Sequence, residues 1–142
     1  MTSSPACELY IDGASRGNPG PASVGGILVQ KDSTVLKRFS KYIGETTNNV
    51  AEYLALIYGL HEALDAGCQS LHIKTDSELL ARQINGQYKV RDFHLRLFHD
   101  LARRVMERFK ACTIAHIPRE LNKEADRLAG EAVRTHARAH TL

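Results

Sequence analysis

The apolar positions change their period along the chain. Over Cys7–Asp12, the residues Cys7, Leu9 and Ile11 alternate with Glu8, Tyr10 and Asp12, the two-residue repeat of a strand buried on one face. Gly13 to Pro21 follows as a turn punctuated by glycine and proline. Val24–Gln30 and Thr34–Phe39 repeat the strand signature and are joined through Lys31, Asp32 and Ser33, so three antiparallel strands are predicted at the start. After Asn48 the period lengthens: Tyr53, Leu56, Ile57, Leu60 and Leu64 sit at helical offsets, and Gly67 ends the stripe. Leu71–Thr75 alternates again, and Ser77–Ile84 reads as a short helix stopped by Asn85 and Gly86. Leu95, Phe98, Ala102, Val105 and Phe109 mark a longer amphipathic helix, and Cys112–Ile117 is the last strand, closed by Pro118. Asn122 is the expected N-cap of a final helix through Leu128, Ala132 and Val133.

The resulting order, β-β-β-α-β-α-α-β-α, predicts an α/β fold in which helices pack on a mixed sheet. A length of 142 residues suits one domain, with a core over about residues 7–133 and a flexible tail over 135–142, where large apolar residues are scarce. No stretch approaches the roughly 18 apolar residues of a membrane span. The opening MTSSPACELYIDG lacks the basic segment and long apolar run of a secretory signal. A cytoplasmic protein with no membrane partner is expected. Cys7, Cys68 and Cys112 lie among apolar neighbours without a C-x-x-C pair, which favours buried reduced thiols and leaves a disulfide between two of them open.

The formal charge of +3 is unevenly spread. Between Gly86 and Lys110 there are seven basic residues (Lys89, Arg91, Arg96, Arg103, Arg104, Arg108, Lys110) against three acidic ones. Such a stripe suits a polyanion, and equally a solvated helix face.

Acidic residues fall at the junctions between elements. Asp12 closes the first predicted strand, Asp76 stands between a strand and a helix, and Glu52 and Asp126 occupy the first turns of theirs. Ligand sites in open α/β sheets gather at strand ends. Taken singly, each acid has a simpler reading: a turn residue at Asp12, a cap at Asp76, helix N-terminal acids at Glu52 and Asp126.

Four blocks give these positions more meaning together than apart: Asp12-Gly13-Ala14-Ser15-Arg16-Gly17-Asn18-Pro19-Gly20-Pro21, Thr47-Asn48-Asn49-Val50-Ala51-Glu52, Thr75-Asp76-Ser77, and Pro118-Arg119-Glu120-Leu121-Asn122-Lys123-Glu124-Ala125-Asp126-Arg127-Leu128-Ala129. In this order and on these elements, they make the chain resemble the type 1 ribonuclease H family, in a compact form without the basic protrusion. The resemblance implies a five-stranded mixed sheet, its first three strands antiparallel, with helices on both faces. It also implies an endoribonuclease that hydrolyses the RNA strand of RNA/DNA hybrids and leaves 5′-phosphate and 3′-hydroxyl ends. Asp12, Glu52, Asp76 and Asp126 would be the catalytic, metal-binding carboxylates. Four like charges at close range repel one another, so such a cluster calls for two Mg²⁺ ions, or Mn²⁺ in their place, about 4 Å apart across the scissile phosphate.

The same resemblance places Ser15, Asn18, Thr47, Asn48 and Asn122 at the substrate, the asparagines otherwise reading as turn formers or caps. A 2′-hydroxyl distinguishes RNA from DNA, and Ser15, Asn18 and Asn48 are the expected readers. Thr47 and Asn18 would help to hold a DNA phosphate. His116, ten residues before Asp126, matches an auxiliary histidine of the family, although Ile117-Pro118-Arg119-Glu120 lacks the glycine-containing loop and makes Arg119 the alternative helper. With no tryptophan and only the short connection Asn85–Arg91, binding would lean on Lys89 and Arg91. Glu78 stands where relatives carry glutamine and cannot donate as an amide does. A monomer is expected. The alternatives are a form that also cuts double-stranded RNA and a catalytically silent nucleic-acid-binding module.

Overall fold

The computed structural model describes residues 6–139. Its strands are β1 (Ala6–Ser15), β2 (Gly20–Gln30), β3 (Val35–Thr46), β4 (Ser70–Thr75) and β5 (Ala111–His116). The α-helices are α1 (Asn48–Asp65), α2 (Glu78–Ile84), α3 (Phe93–Met106) and α4 (Lys123–Ala139), with a 3₁₀ turn at Arg119–Leu121. The strands form one sheet in the order β3-β2-β1-β4-β5. β1–β2 and β2–β3 are antiparallel, while β1–β4 and β4–β5 are parallel. The mixed five-stranded sheet is therefore the expected one, with β1 at its centre.

The alternation in β1 does what the pattern predicts. Cys7, Leu9 and Ile11 are buried with Leu56 and Leu60 of α1, and Gly59 of α1 leaves room for Leu9 and Ile11. The other face of the sheet receives α4 through Ala125, Leu128, Ala129, Ala132 and Val133. Gly25 of β2 permits that approach, because a Cβ there would strike the backbone of Ala125, Leu128 and Ala129. Helices thus cover both faces.

Several boundaries differ from the expected ones. β1 continues three residues past Asp12 to Ser15, because Gly13 and Ala14 stay in register with Val24 and Ser23 rather than turning. β2 starts at Gly20 and β3 runs to Thr46; these ends carry glycine and polar residues, so their pairing leaves no apolar repeat to read. α4 continues to Ala139, into the stretch expected as a tail. There His136 stacks on Tyr42 of β3, ring centroids 3.5 Å apart; residues 140–142 of that tail lie outside the described part.

The thiol expectation is corrected as well. Cys7 and Cys68 are joined by a disulfide with Cα atoms 6.2 Å apart, and Cys112 is free. Parallel pairing of β1 and β4 sets Cys7 opposite Leu71, which brings the loop just before β4 against the start of β1. No described helix is long and apolar enough to cross a membrane.

Candidate active site

The end of β4 creates the site. β4 pairs with β1 only as far as Thr75 opposite Ile11, then leaves the sheet as Ser77 caps α2 by accepting from the Leu80 N–H at 3.1 Å. Beyond Ile11, β1 has no neighbour on that side, and side chains from both faces can meet there. This is the crevice expected outside strand ends in an open α/β sheet.

Four acids line the resulting cleft of about 430 Å³, with Gly13, Ala14, Ser15, Asn48 and Arg119. Asp12 comes from the sheet centre and is 5% exposed. Asp76 stands at the exit of β4, Glu52 comes from the second turn of α1, and Asp126 from the first turn of α4. Asp12, Glu52 and Asp76 each offer an oxygen within 4.8 Å of the others. Asp126 lies outside that tightest group but lines the same cleft as Asp12. Of the simpler readings, the cap at position 76 is excluded, because Ser77 fills it.

Gly13 is the supporting residue that sequence patterning misses. A Cβ on it would strike the Ala51 backbone, so its absence lets α1 lie directly on β1. At that contact the Gly13 N–H donates to Glu52 Oε1 at 2.7 Å. This bond favours the Glu52 carboxylate, yet burial, with Asp76 and Asp126 nearby, pushes its pKa up to about 8. Asp12 is pushed up to about 9, first by burial and then by Glu52, Asp76 and Asp126. Two groups that resist ionising so strongly need nearby positive charge to be anionic at neutral pH. Among the described residues, the only basic side chain lining the cleft is Arg119, whose Nη2 lies 3.6 Å from Asp126 and which is 78% exposed. The donor set is all oxygen, which fits hard divalent cations such as Mg²⁺ or Mn²⁺.

The predicted substrate residues divide. Ser15 and Asn48 line the cleft and are joined, Ser15 N–H and Oγ donating to Asn48 Oδ1 at 2.9 and 3.0 Å. Asn18 accepts from the Asn48 N–H at 3.0 Å, tying the β1–β2 loop to the start of α1. Thr47 caps α1, accepting from Val50 N–H at 3.3 Å. With Asn18, Asn49, Asp92, His94 and Phe98 it borders a second groove of about 580 Å³. Lys89 and Arg91 are exposed between α2 and α3, whereas Arg103 is tied back to the Ile84 carbonyl at 2.5 Å. Glu78 turns to Arg82, 2.9 Å away, and does not line the cleft. His116 is exposed at the end of β5 and does not line it either. Asn122 is 1% exposed and lies behind the cleft. It does not serve as the expected side-chain cap of α4: its amide points instead to the Ile11 carbonyl at 2.8 Å.

The chain is similar in sequence and fold to known proteins. A family model described as reverse transcriptase-like matches residues 10–132. The chain is 44% identical over 126 residues to ribonuclease HI of Halobacterium salinarum, covering 89% of this chain and 63% of that protein. It therefore spans a little under two thirds of that relative's length. The crystal structure of RNase H1 from Halobacterium salinarum superposes with a TM-score of 0.90 at 42% identity, covering 92% of this chain and 98% of that one. The RNase H1 named LC11, solved in complex with an RNA/DNA hybrid, gives 0.88 at 38% identity, with 92% and 99% covered.

Proposed function

The chain belongs to the type 1 ribonuclease H family, and on that premise we propose that it is a metal-dependent endoribonuclease acting on the RNA strand of RNA/DNA hybrids. One observation carries the reading: Asp12, Glu52 and Asp76, far apart in sequence, bring carboxylate oxygens within 4.8 Å of one another, with Asp126 beside them. These four would hold two Mg²⁺ ions, or Mn²⁺ in their place. When bound, the cations supply the positive charge that lets a phosphodiester be attacked in line by water, leaving a 5′-phosphate and a 3′-hydroxyl.

The chain's own residues set up that reaction. Asp12 and Glu52 would hold the cations from the floor of the cleft, and the Gly13 N–H fixes Glu52. Arg119 is the auxiliary group rather than His116, because Arg119 borders the cleft and His116 does not. A permanently charged guanidinium there steadies phosphate oxygens rather than carrying a proton. With its carbonyl oxygen engaged by Ser15, Asn48 keeps its amide NH₂ as a donor for a 2′-hydroxyl of the RNA strand. Ser15 and Asn18 hold the loop that presents it, Thr47 with Asn18 borders the groove for the DNA strand, and Lys89 and Arg91 contact phosphates nearby.

We further propose that the protein acts as a monomer in the cytoplasm, where hybrids form beside their template. Double-stranded RNA is the second duplex worth assaying, since Arg119 stands in place of the glycine-containing histidine loop. The deciding experiment is a panel of RNA/DNA, RNA/RNA and DNA/DNA duplexes with Mg²⁺, with product ends identified. RNA-strand cleavage of the hybrid that Asp12→Asn abolishes is expected; equal cleavage of DNA/DNA, or an active variant, would refute the reading.

A further inference from the structure

Asn122 is the buried polar side chain that this chemistry leaves unexplained. It is 1% exposed, 111 residues from the Ile11 carbonyl to which its amide donates at 2.8 Å. Its Oδ1 has no partner among the described residues. A buried acceptor left unpaired is destabilising, and a smaller apolar residue would avoid that. An amide at this position serves something other than core packing.

Two of its three hydrogen bonds lead to the main chain beside or at a carboxylate residue. The Ile11 carbonyl belongs to the peptide that carries Asp12 and lies at the last register pair of β1 with β4. The Asn122 carbonyl accepts the N–H of Asp126 at 3.1 Å, closing the first turn of α4. One residue thus bonds the main chain at the sheet-borne acid and the main chain of the helix-borne acid. The Arg119–Leu121 3₁₀ turn presents it, with Asn122 N–H bonded to the Arg119 carbonyl at 2.9 Å.

We infer that Asn122 is a positioning residue that sets the spacing between Asp12 and Asp126, and does not contact substrate. The inference rests on the proposed metal-dependent hydrolysis at this site. Asp12 is fixed by its pairing with Gly25 of β2, while Asp126 rides on a helix that begins after a short turn. Without a tie to β1, the fourth carboxylate can drift from the other three even though the fold persists. Groups that orient ligands from behind commonly change metal affinity or activity by about 10–100-fold when removed.

The test uses Asn122→Ala and Asn122→Ser, the second retaining a shorter donor in case the first does not fold. Three readouts are compared with wild type: melting temperature, Mn²⁺ binding by calorimetry without nucleic acid, and the kcat and KM for hybrid over a Mg²⁺ series. The inference expects Mn²⁺ affinity to weaken by about tenfold or more and kcat to fall similarly. KM is expected to stay within about twofold, with Asn122→Ser between alanine and wild type. A raised KM with unchanged Mn²⁺ binding would make Asn122 a substrate contact and overturn it. A lowered melting temperature with normal Mn²⁺ affinity and kcat in the folded fraction would make it purely structural, and overturn it too. Wild type that does not cut the hybrid would instead sink the proposed function, so the two failures are distinct.

Discussion

Replacing Asp12 by asparagine should destroy activity and yet make the metal-free protein more stable. Asp12 is buried at the sheet centre and its pKa is pushed from 3.8 up to about 9. An unfolded chain releases this proton near pH 3.8, whereas the folded chain holds it until about pH 9. Between those values the folded state binds more protons, so stability falls as pH rises and is lowest above about pH 9. The slope for one proton is about 1.4 kcal/mol per pH step. Moving metal-free wild type from about pH 5.5 to about pH 8 should therefore remove on the order of 3 kcal/mol. Glu52, raised to about 8, adds to the fall in the same direction. Asp12→Asn keeps the shape of the side chain and removes its charge, so its stability should depend less on pH. At about 2–4 °C per kcal/mol in a domain of this size, the variant should melt about 6–12 °C above wild type at about pH 8 in chelator. Added Mg²⁺ should raise wild type and leave the variant nearly unchanged, since only a competent site gains by binding. The assay is thermal unfolding by circular dichroism in four conditions, two pH values with and without metal. Equal melting temperatures for the two proteins at the higher pH without metal would refute the account of a strained acid cluster.

Three other perturbations separate roles that the structure distinguishes. Arg119→Ala should lower kcat for hybrid by about tenfold or more, whereas His116→Ala should stay within about twofold; the reverse order would return the auxiliary role to the histidine. Cys7→Ser with Cys68→Ser opens a loop of 61 residues, removing up to about 4 kcal/mol by loop entropy. Its melting temperature should fall by about 10 °C with kcat little changed, and an unchanged melt under non-reducing conditions would mean the thiols are unpaired in solution. Lys89→Ala and Arg91→Ala should each reduce the salt slope of hybrid binding by about one, a loss that titration from low to high salt can read directly.

The parts of the structure that sequence reasoning reached are those with a repeat. Cys7, Leu9 and Ile11 give β1 away, and Tyr53, Leu56 and Leu60 give α1 away, because burial on one face leaves a period. The carboxylates were legible for a different reason: they stand where one period gives way to another. Their meeting was legible only through the family resemblance and not from local pattern, because it depends on where β4 stops, and nothing local at Thr75 says that β1 runs on beyond it. Gly13 looked like part of a turn because glycine carries the same letter whether it bends a chain or makes space for a helix. Asn122 looked like a cap because asparagine before a helix usually is one, and only the register of β1 shows where its amide goes. The cysteine pair depends on parallel strand alignment across 61 residues of intervening chain, which spacing alone does not encode.

The packing of α4 has a consequence for the order in which competence is acquired during synthesis. Asp12, Glu52 and Asp76 all emerge before Gln87, but Asp126 and Asn122 belong to the last described elements, and α4 docks against Gly25 on a strand made about a hundred residues earlier. A ribosome-bound chain lacking that helix holds three acids without the fourth, so on the proposed reading turnover should arrive only as α4 closes onto the sheet. Ending the chain before Lys123 removes Asp126 with the whole of α4, so on the same reading the shortened chain should show no turnover.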